Sequence, residues 1–309
     1  MIIDTHAHFR EEVLDHEAGT QGWQLLEEMN QLRARVGFPP LKQQVPTLKR
    51  LLEVMDRCWI EIAWLHQLSF AHHLSYETLS NEEISKAVKE YPDRLVGFAG
   101  IDPHAEDRVD QLDRAVNDLG LRGLKMNPND FGAYFPNDRE LCYPLYEKAL
   151  ELNLPVSFHT GITPAPFFHM KHNYPVLLDD VAVDFPDLTM IVEHMGFPWT
   201  DLTYNMVQRH SNMYLTITAT ANIMIRQSPV AFHMEMGKML GMIGSKHLLW
   251  GTDWTATPNT EEVLQFLRTA EPPMPMKMMG MPGLGPTALD DLLGENARRL
   301  MTMHDMFKR

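Results

Sequence analysis

With 309 residues, 44% of them hydrophobic and 22% charged, the chain has the length and composition of one large globular domain with a sizeable core. Its 41 acidic residues outnumber 27 basic ones, a net charge of −14 that disfavours phosphate backbones and anionic membrane surfaces and so argues against nucleic acid or membrane as a partner. Two isolated cysteines, Cys58 and Cys142, make no disulfide framework; the start carries Asp4 and His6 where a signal peptide is apolar, and no run approaches the ~20 apolar residues that span a bilayer, so a cytoplasmic protein is expected.

Eight short apolar runs recur along the chain. Met1 to Ile3 ends in Asp4-Thr5-His6-Ala7-His8. An insertion, 9–45, follows, with Gly19, Gly22, Gly37 and Pro39-Pro40 around a helical piece near Leu25 to Val36; a loop this long reads as a functional lid. Next come Trp59 to Leu65, Leu95 to Ile101 closing at Asp102-Pro103, and Arg122 to Met126 closing at Asn127-Pro128. Pro155 to Phe158 closes at His159-Thr160-Gly161, and Thr189 to Val192 at Glu193-His194-Met195-Gly196. Met213 to Ile217 and His247 to Trp250 complete the series, the last closing at Gly251-Thr252-Asp253-Trp254. The runs are continuous rather than alternating, as strands buried on both faces are. Amphipathic stretches separate them, among them Asn81 to Glu90, Arg108 to Leu119, Arg139 to Leu152, Val176 to Phe185 and Thr260 to Thr269. Eight strand–helix units predict an α/β fold, a (β/α)₈ TIM barrel over 1–309 as a single domain, with a doubly wound open sheet as the alternative. A Pro- and Met-rich loop at 271–286 and a closing helix from Thr287 to Met303 end the chain.

In a parallel barrel the C-terminal strand ends converge on one mouth. The first strand delivers His6 and His8, the fifth His159, the sixth His194 and the eighth Asp253. Residues i and i+2 of a strand share a face, so His6 and His8 can share a metal. His159 completes three nitrogen donors and Asp253 adds an oxygen, a set suited to zinc, manganese, iron or cobalt. Such an ion lowers the pKa of bound water towards ~7. Asp253 can bind the ion and take a proton from that water, and His194 is the second acid/base group.

The segments Asp4-Thr5-His6-Ala7-His8, Val156-Ser157-Phe158-His159-Thr160-Gly161, Glu193-His194-Met195-Gly196 with Pro198-Trp199, Trp250-Gly251-Thr252-Asp253-Trp254 and Gly294-Glu295-Asn296-Ala297-Arg298-Arg299-Leu300 resemble the amidohydrolase-related family, the branch that contains aminocarboxymuconate-semialdehyde decarboxylase. The resemblance runs from residue 1 to about 303. It implies metal ligands at His6, His8, His159 and Asp253, with one divalent ion per chain, zinc first, and His194 beside it as acid/base. It implies that Lys125 is unmodified; the lysine either meets a substrate carboxylate or carbonyl oxygen, or pairs structurally with a nearby acid. Trp254 either walls the substrate pocket or packs in the core. His72, His73, His169 and His172 are weaker candidates for the pocket mouth.

Two reactions fit such a site. One is hydrolysis at a carbonyl carbon of a lactone, ester, amide or activated ketone; the other is non-oxidative decarboxylation of an aromatic or unsaturated acid. The Met195-Gly196-Phe197-Pro198-Trp199 continuation resembles hydrolase members and favours the first. A TatD-type deoxyribonuclease also opens with Asp-x-His-x-His, but its middle-strand glutamate has no counterpart in Gly100-Ile101-Asp102 or Gly123-Leu124-Lys125. A barrel retired to a binding role is disfavoured by the intact donor set. Trp23, Phe38, Met274, Met276 and Met278 in the two irregular segments point to a small apolar or aromatic substrate, and a homo-oligomer, dimer or tetramer, is expected.

Overall fold

The computed structural model describes all residues except 12–17, 36, 42–44, 70–76, 162, 164–167, 255 and 308–309. Eight parallel strands follow one another round a single sheet: β1 (Ile2–Ala7), β2 (Ile60–His66), β3 (Leu95–Gly100), β4 (Gly123–Met126), β5 (Val156–Phe158), β6 (Met190–Val192), β7 (Met213–Thr216) and β8 (Leu248–Leu249). First and last meet at a seam. Thr5 N–H donates to Trp250 O over 3.0 Å, Asp253 N–H to His6 O over 2.8 Å and His8 N–H to Trp254 O over 2.8 Å. The sheet therefore curls into the TIM barrel that the eightfold alternation predicts, and not into an open doubly wound sheet.

Two apolar clusters explain why the strands are continuous hydrophobic runs. Ala63 and Leu65 of β2 join the large cluster with Leu51, Val54 and Met55 of the neighbouring helix. Their alternates Ile62 and Trp64 join Ile3, Val96, Phe98, Ile191 and Leu249, a set drawn from the strands and closed by Ala297, Leu300 and Met301 of the last helix. The first cluster is the barrel–helix layer, and the second fills the barrel bore as packed core.

Helix α1 (Gln21–Arg35) lies in the insertion after β1. Helices α2 (Leu48–Cys58), α3 (Asn81–Glu90), α4 (Arg108–Asn117), α5 (Tyr143–Glu151), α6 (Leu177–Asp184), α7 (Thr200–Arg209), α8 (Thr220–Gln227), α9 (Pro229–Met242) and α10 (Thr260–Thr269) alternate with the strands. Local chemistry sets their ends. Ser80 and Glu83 form a reciprocal capping box at the start of α3. Pro144 begins α5 later than the predicted Arg139, because proline suits a first helical turn and lacks the N–H an interior position needs. Trp59, read as the first residue of strand two, instead caps α2 with φ +60°, which shifts that strand one residue on to His66.

The Pro/Met-rich segment contains a short helix, α11 (Met274–Met278), after Pro272-Pro273. The closing helix is three continuous pieces: α12 (Pro286–Asp290), a π-helical turn (Asp291–Glu295) and α13 (Asn296–Met303). Cys58 and Cys142 are buried free thiols. Among the described residues no helix is long and apolar enough to cross a membrane.

Candidate metal and catalytic site

The mouth of the barrel is built where the strands end. His6 Nε2 and His8 Nε2 stand 3.0 Å apart, and Asp253 Oδ1 lies 3.6 Å and 3.7 Å from them. The seam makes this possible. Asp4 accepts from Thr252 N–H (2.8 Å) and Thr252 Oγ1–H (2.6 Å), tying the segment after β8 to β1. A Cβ at Gly251 would lie 2.9 Å from the His6 backbone nitrogen, so only glycine permits the close approach. Asp253 (φ +50°) and His194 (φ +57°) both occupy the left-handed region, uncommon for residues with a Cβ, and this aims both side chains off the strand direction.

Beneath lies a buried charge network centred on Glu193. Lys125 donates from Nζ to its Oε2, and Ser157 Oγ–H donates to Oε1 over 2.6 Å. His6 Nδ1 is 3.3 Å and His66 Nδ1 3.6 Å from the same Oε1, close approaches without aligned hydrogen bonds. Burial alone would raise the Glu193 carboxyl, but His6 and Lys125 hold it well below its usual range. The rings of Phe98, His66 and His6 stack in series, with centroids 4.5 Å apart at both steps, so the bore core supports the first imidazole from below.

These contacts settle the imidazole tautomers. The His66 carbonyl, 2.8 Å from His8 Nδ1, can only accept, which places the His8 proton on Nδ1. Glu193 favours the His6 proton on Nδ1 likewise. Two Nε2 lone pairs and a carboxylate oxygen then face one another, an arrangement that repels itself without a cation and suits a divalent ion. Burial pushes His6 and His8 each down to about 3, so both are neutral donors at neutral pH. Two further groupings, His6–His66–Glu193 and His159–Glu193–His194, share Glu193, whose charge Lys125 already answers. Of the three groups among the described residues, His6–His8–Asp253 is the one that does not include Glu193.

His159 is not in that triplet. Its Nδ1 lies 3.2 Å from His194 Nε2, and His194 Nδ1 is 2.8 Å from Thr218 Oγ1. Burial lowers His194 to about 4 against the opposing charge of Glu193, and raises Asp253 to about 7. A cavity of about 140 Å³ gathers His6, His8, Lys125, His159, His194 and Asp253 on its walls. Lys125 is thus both the partner of a buried acid and a lining residue. Trp254 is absent from the described lining; it is buried in the barrel–helix layer, one residue beyond Asp253 and on the other face. His172 is buried against Phe135 with Nδ1 3.1 Å from Tyr134 O, and neither it nor His169 lines the cavity. His72 and His73 lie outside the described residues.

Sequence reasoning assigned no role to Glu193 or His66. His66 continues the inward stripe Ile62–Trp64, a signal hidden when the strand is ended at Leu65. Glu193 is adjacent to His194, but its partner Lys125 lies 68 residues away.

A parallel barrel that gathers imidazoles and carboxylates at one mouth defines an α/β-barrel enzyme. The amidohydrolase family profile matches residues 3–301, and the chain belongs to that family. A 2-keto-4-carboxy-3-hexenedioate hydratase of Sphingobium sp. is 30% identical over 133 residues, 38% of this chain. That match spans 39% of the hydratase's length. Among solved structures, a TIM-barrel protein of Bordetella bronchiseptica superposes with a TM-score of 0.75 at 23% identity, covering 98% of this chain and 99% of that one. A dihydroxybenzoic acid decarboxylase of Polaromonas sp., with bound manganese and the inhibitor 2-nitroresorcinol, superposes with a TM-score of 0.64 at 16% identity, covering 98% and 97%. At these identities the two structures share the fold.

Proposed function

We propose that the chain is a metal-dependent hydrolase or lyase that brings water to an electrophilic carbon of a small, carboxylate-bearing, conjugated or aromatic molecule. The observation that carries this reading is the His6 and His8 Nε2 pair facing Asp253 on the wall of a cavity shared with His194 and Lys125. His6, His8 and Asp253 would hold a divalent ion, with His159, which stands outside that group and against His194, as the further candidate donor; the ion would supply Lewis acidity and lower the pKa of water beside it. Zinc and manganese both fit this donor set, at one ion per chain.

The protein groups divide the remaining work. Asp253, on the cavity wall beside His6 and His8, is placed to take and return a proton. His194 is neutral and oriented through Nδ1 by Thr218, which presents Nε2 towards His159 for proton exchange. Lys125, Asn127 and Arg10 line the same cavity and bring donors suited to a carboxylate. The hydratase relative supports addition of water to a conjugated keto acid. Asp253 and His194 on one cavity wall also support a second reading, decarboxylation, in which a carbon–carboxylate bond breaks to CO₂ and a proton is placed on the carbon left behind.

The test is turnover of zinc- and manganese-loaded protein on unsaturated keto acids, lactones, esters and hydroxybenzoates in ¹⁸O-labelled water. Label in the product supports the water-using reading. CO₂ release without label transfers the assignment to decarboxylation. No turnover across the panel by protein with its metal bound overturns both.

A further inference from the structure

The cavity at the metal-binding group does not end there. Past His159, His194 and Asp253 it opens into a second chamber of about 280 Å³, twice the volume of the first. Its inner walls are apolar: Met29 and Leu32 from α1, Phe38 after it, Ile223 from α8, and Ala219 and Ala256. Of the polar residues in its lining, Glu28, Gln31 and Arg35 are exposed, Thr163 and Thr220 are half-buried and Arg33 is buried. Helix α1 roofs both chambers. Leu25 and Leu26 line the first, Leu32 lines the second a turn or two later, and Met29 lines both.

The far wall is held in place rather than left loose. Arg33, buried, donates through Nε to Pro39 O (2.7 Å) and through Nη1 to Ala256 O (3.3 Å). Its guanidinium lies 5.8 Å from the Phe38 ring centroid, and that of Arg226 lies 5.0 Å from the same centroid. Arg226 is anchored in turn on Glu262 at 3.1 Å. Two cations on one ring fix Phe38 as a wall. Lys125, Asn127 and Arg10 line the first chamber. The second has Arg33 and Arg35 in its lining, but Arg33 spends Nε and Nη1 on Pro39 O and Ala256 O and Arg35 is exposed, which leaves Met29, Leu32, Phe38 and Ile223 as its apolar inner surface.

We propose that the second chamber is a subsite for an apolar arm, so that the substrate class is a carboxylate-bearing molecule with an alkyl or aryl extension of several carbons. The carboxylate end lies towards Lys125, and the arm runs under α1 against Leu32, Phe38 and Ile223. This deepens the proposed function and rests on it for the reacting end only.

The test is calorimetric binding of a para-alkyl benzoate series, from benzoate to hexylbenzoate, to the full chain with and without zinc. Each methylene that enters the chamber is expected to tighten binding about three- to fourfold, as burial of a CH₂ group does. Ile223→Trp fills the chamber and is expected to abolish that increment, whereas Ile223→Ala extends it to longer tails; metal content and thermal unfolding show that each variant keeps its site and fold. Affinity independent of tail length in the wild type, or an increment untouched by Ile223→Trp, overturns the subsite. An intact increment without any dependence on zinc keeps the subsite and counts against the metal-centred reading of the reacting end.

Discussion

The floor of the site and its roof are held by different means. Below, Lys125, Ser157 and His66 come from three strands and Glu193 from the end of a fourth, all almost fully buried, with Lys125 and Ser157 donating to the Glu193 carboxylate within a packed bore. Above, α1 is an insertion held by single contacts such as Asn30 Oδ1 accepting from Leu41 N–H (2.9 Å) and Arg33 reaching Ala256 O. Strand ends aim chemistry with little freedom, because alternation and seam register decide each direction. The insertion shapes the space over that chemistry and can change without disturbing it. In the proposed function, reactivity belongs to the floor and selectivity to the roof.

The largest effect is expected at the groups the floor presents. His194→Ala should keep metal content and lower kcat by about 10²–10⁴, the range for a positioned acid/base group, as steady-state kinetics on the first active substrate would show. Unchanged kcat would remove His194 from the chemistry.

One layer down, Glu193→Ala leaves Lys125 as a buried charge without its carboxylate. A loss of about 3–5 kcal/mol in denaturant unfolding is expected, because breaking a buried pair strands one ion. Unaltered stability would mean the network is a bystander. In turnover the roof should respond more gently. Arg33→Met deletes two charged hydrogen bonds but leaves the floor intact, so KM should rise several-fold with kcat within about twofold, while stability falls by about 1.5–3 kcal/mol for each bond lost. A fall in kcat matching that of His194→Ala would erase the division between floor and roof.

The smallest effect lies at the barrel's other end. His304 places Nδ1 3.0 Å from Asn153 O and Nε2 2.9 Å from Thr189 Oγ1, and burial holds its pKa below the ordinary 6.5. The unfolded chain takes up this proton first, so the stabilisation is present above pH ~6.5 and is lost as pH falls below it. His304→Gln should flatten the stability–pH curve in that window; an identical slope would show that His304 titrates alike in both states.

The barrel was legible because eight strands buried on both faces leave eight continuous apolar runs, and because the residue that follows each run marks the mouth. His6, His8, His159, His194 and Asp253 could be read from those positions, and all five line one cavity. The division of His159 from the His6–His8–Asp253 triplet was not legible, since a strand end gives a side chain's address but not its rotamer. Lys125 and Glu193 were visible as residues but not as a pair, since charge pairing across strands is a tertiary fact. Trp254 shows the limit of adjacency: it follows Asp253 directly, yet the left-handed backbone at Asp253 (φ +50°) parts the two side chains, one to the cavity and one to the barrel–helix layer. The second chamber was legible only in part: Phe38 and the insertion pointed to an apolar substrate, but Ile223 of α8 lies almost 200 residues further along the chain and nothing tied it to them.

The most direct test of the central claim is elemental analysis of the purified chain, wild type and His6→Ala/His8→Ala, for zinc, manganese, iron and cobalt. The account predicts about one divalent ion per wild-type chain and far less in the double variant, with the fold retained by circular dichroism. Wild-type metal content in the double variant would contradict the site, and a metal-free wild type that stays empty after reconstitution would contradict metal-dependent chemistry in this barrel.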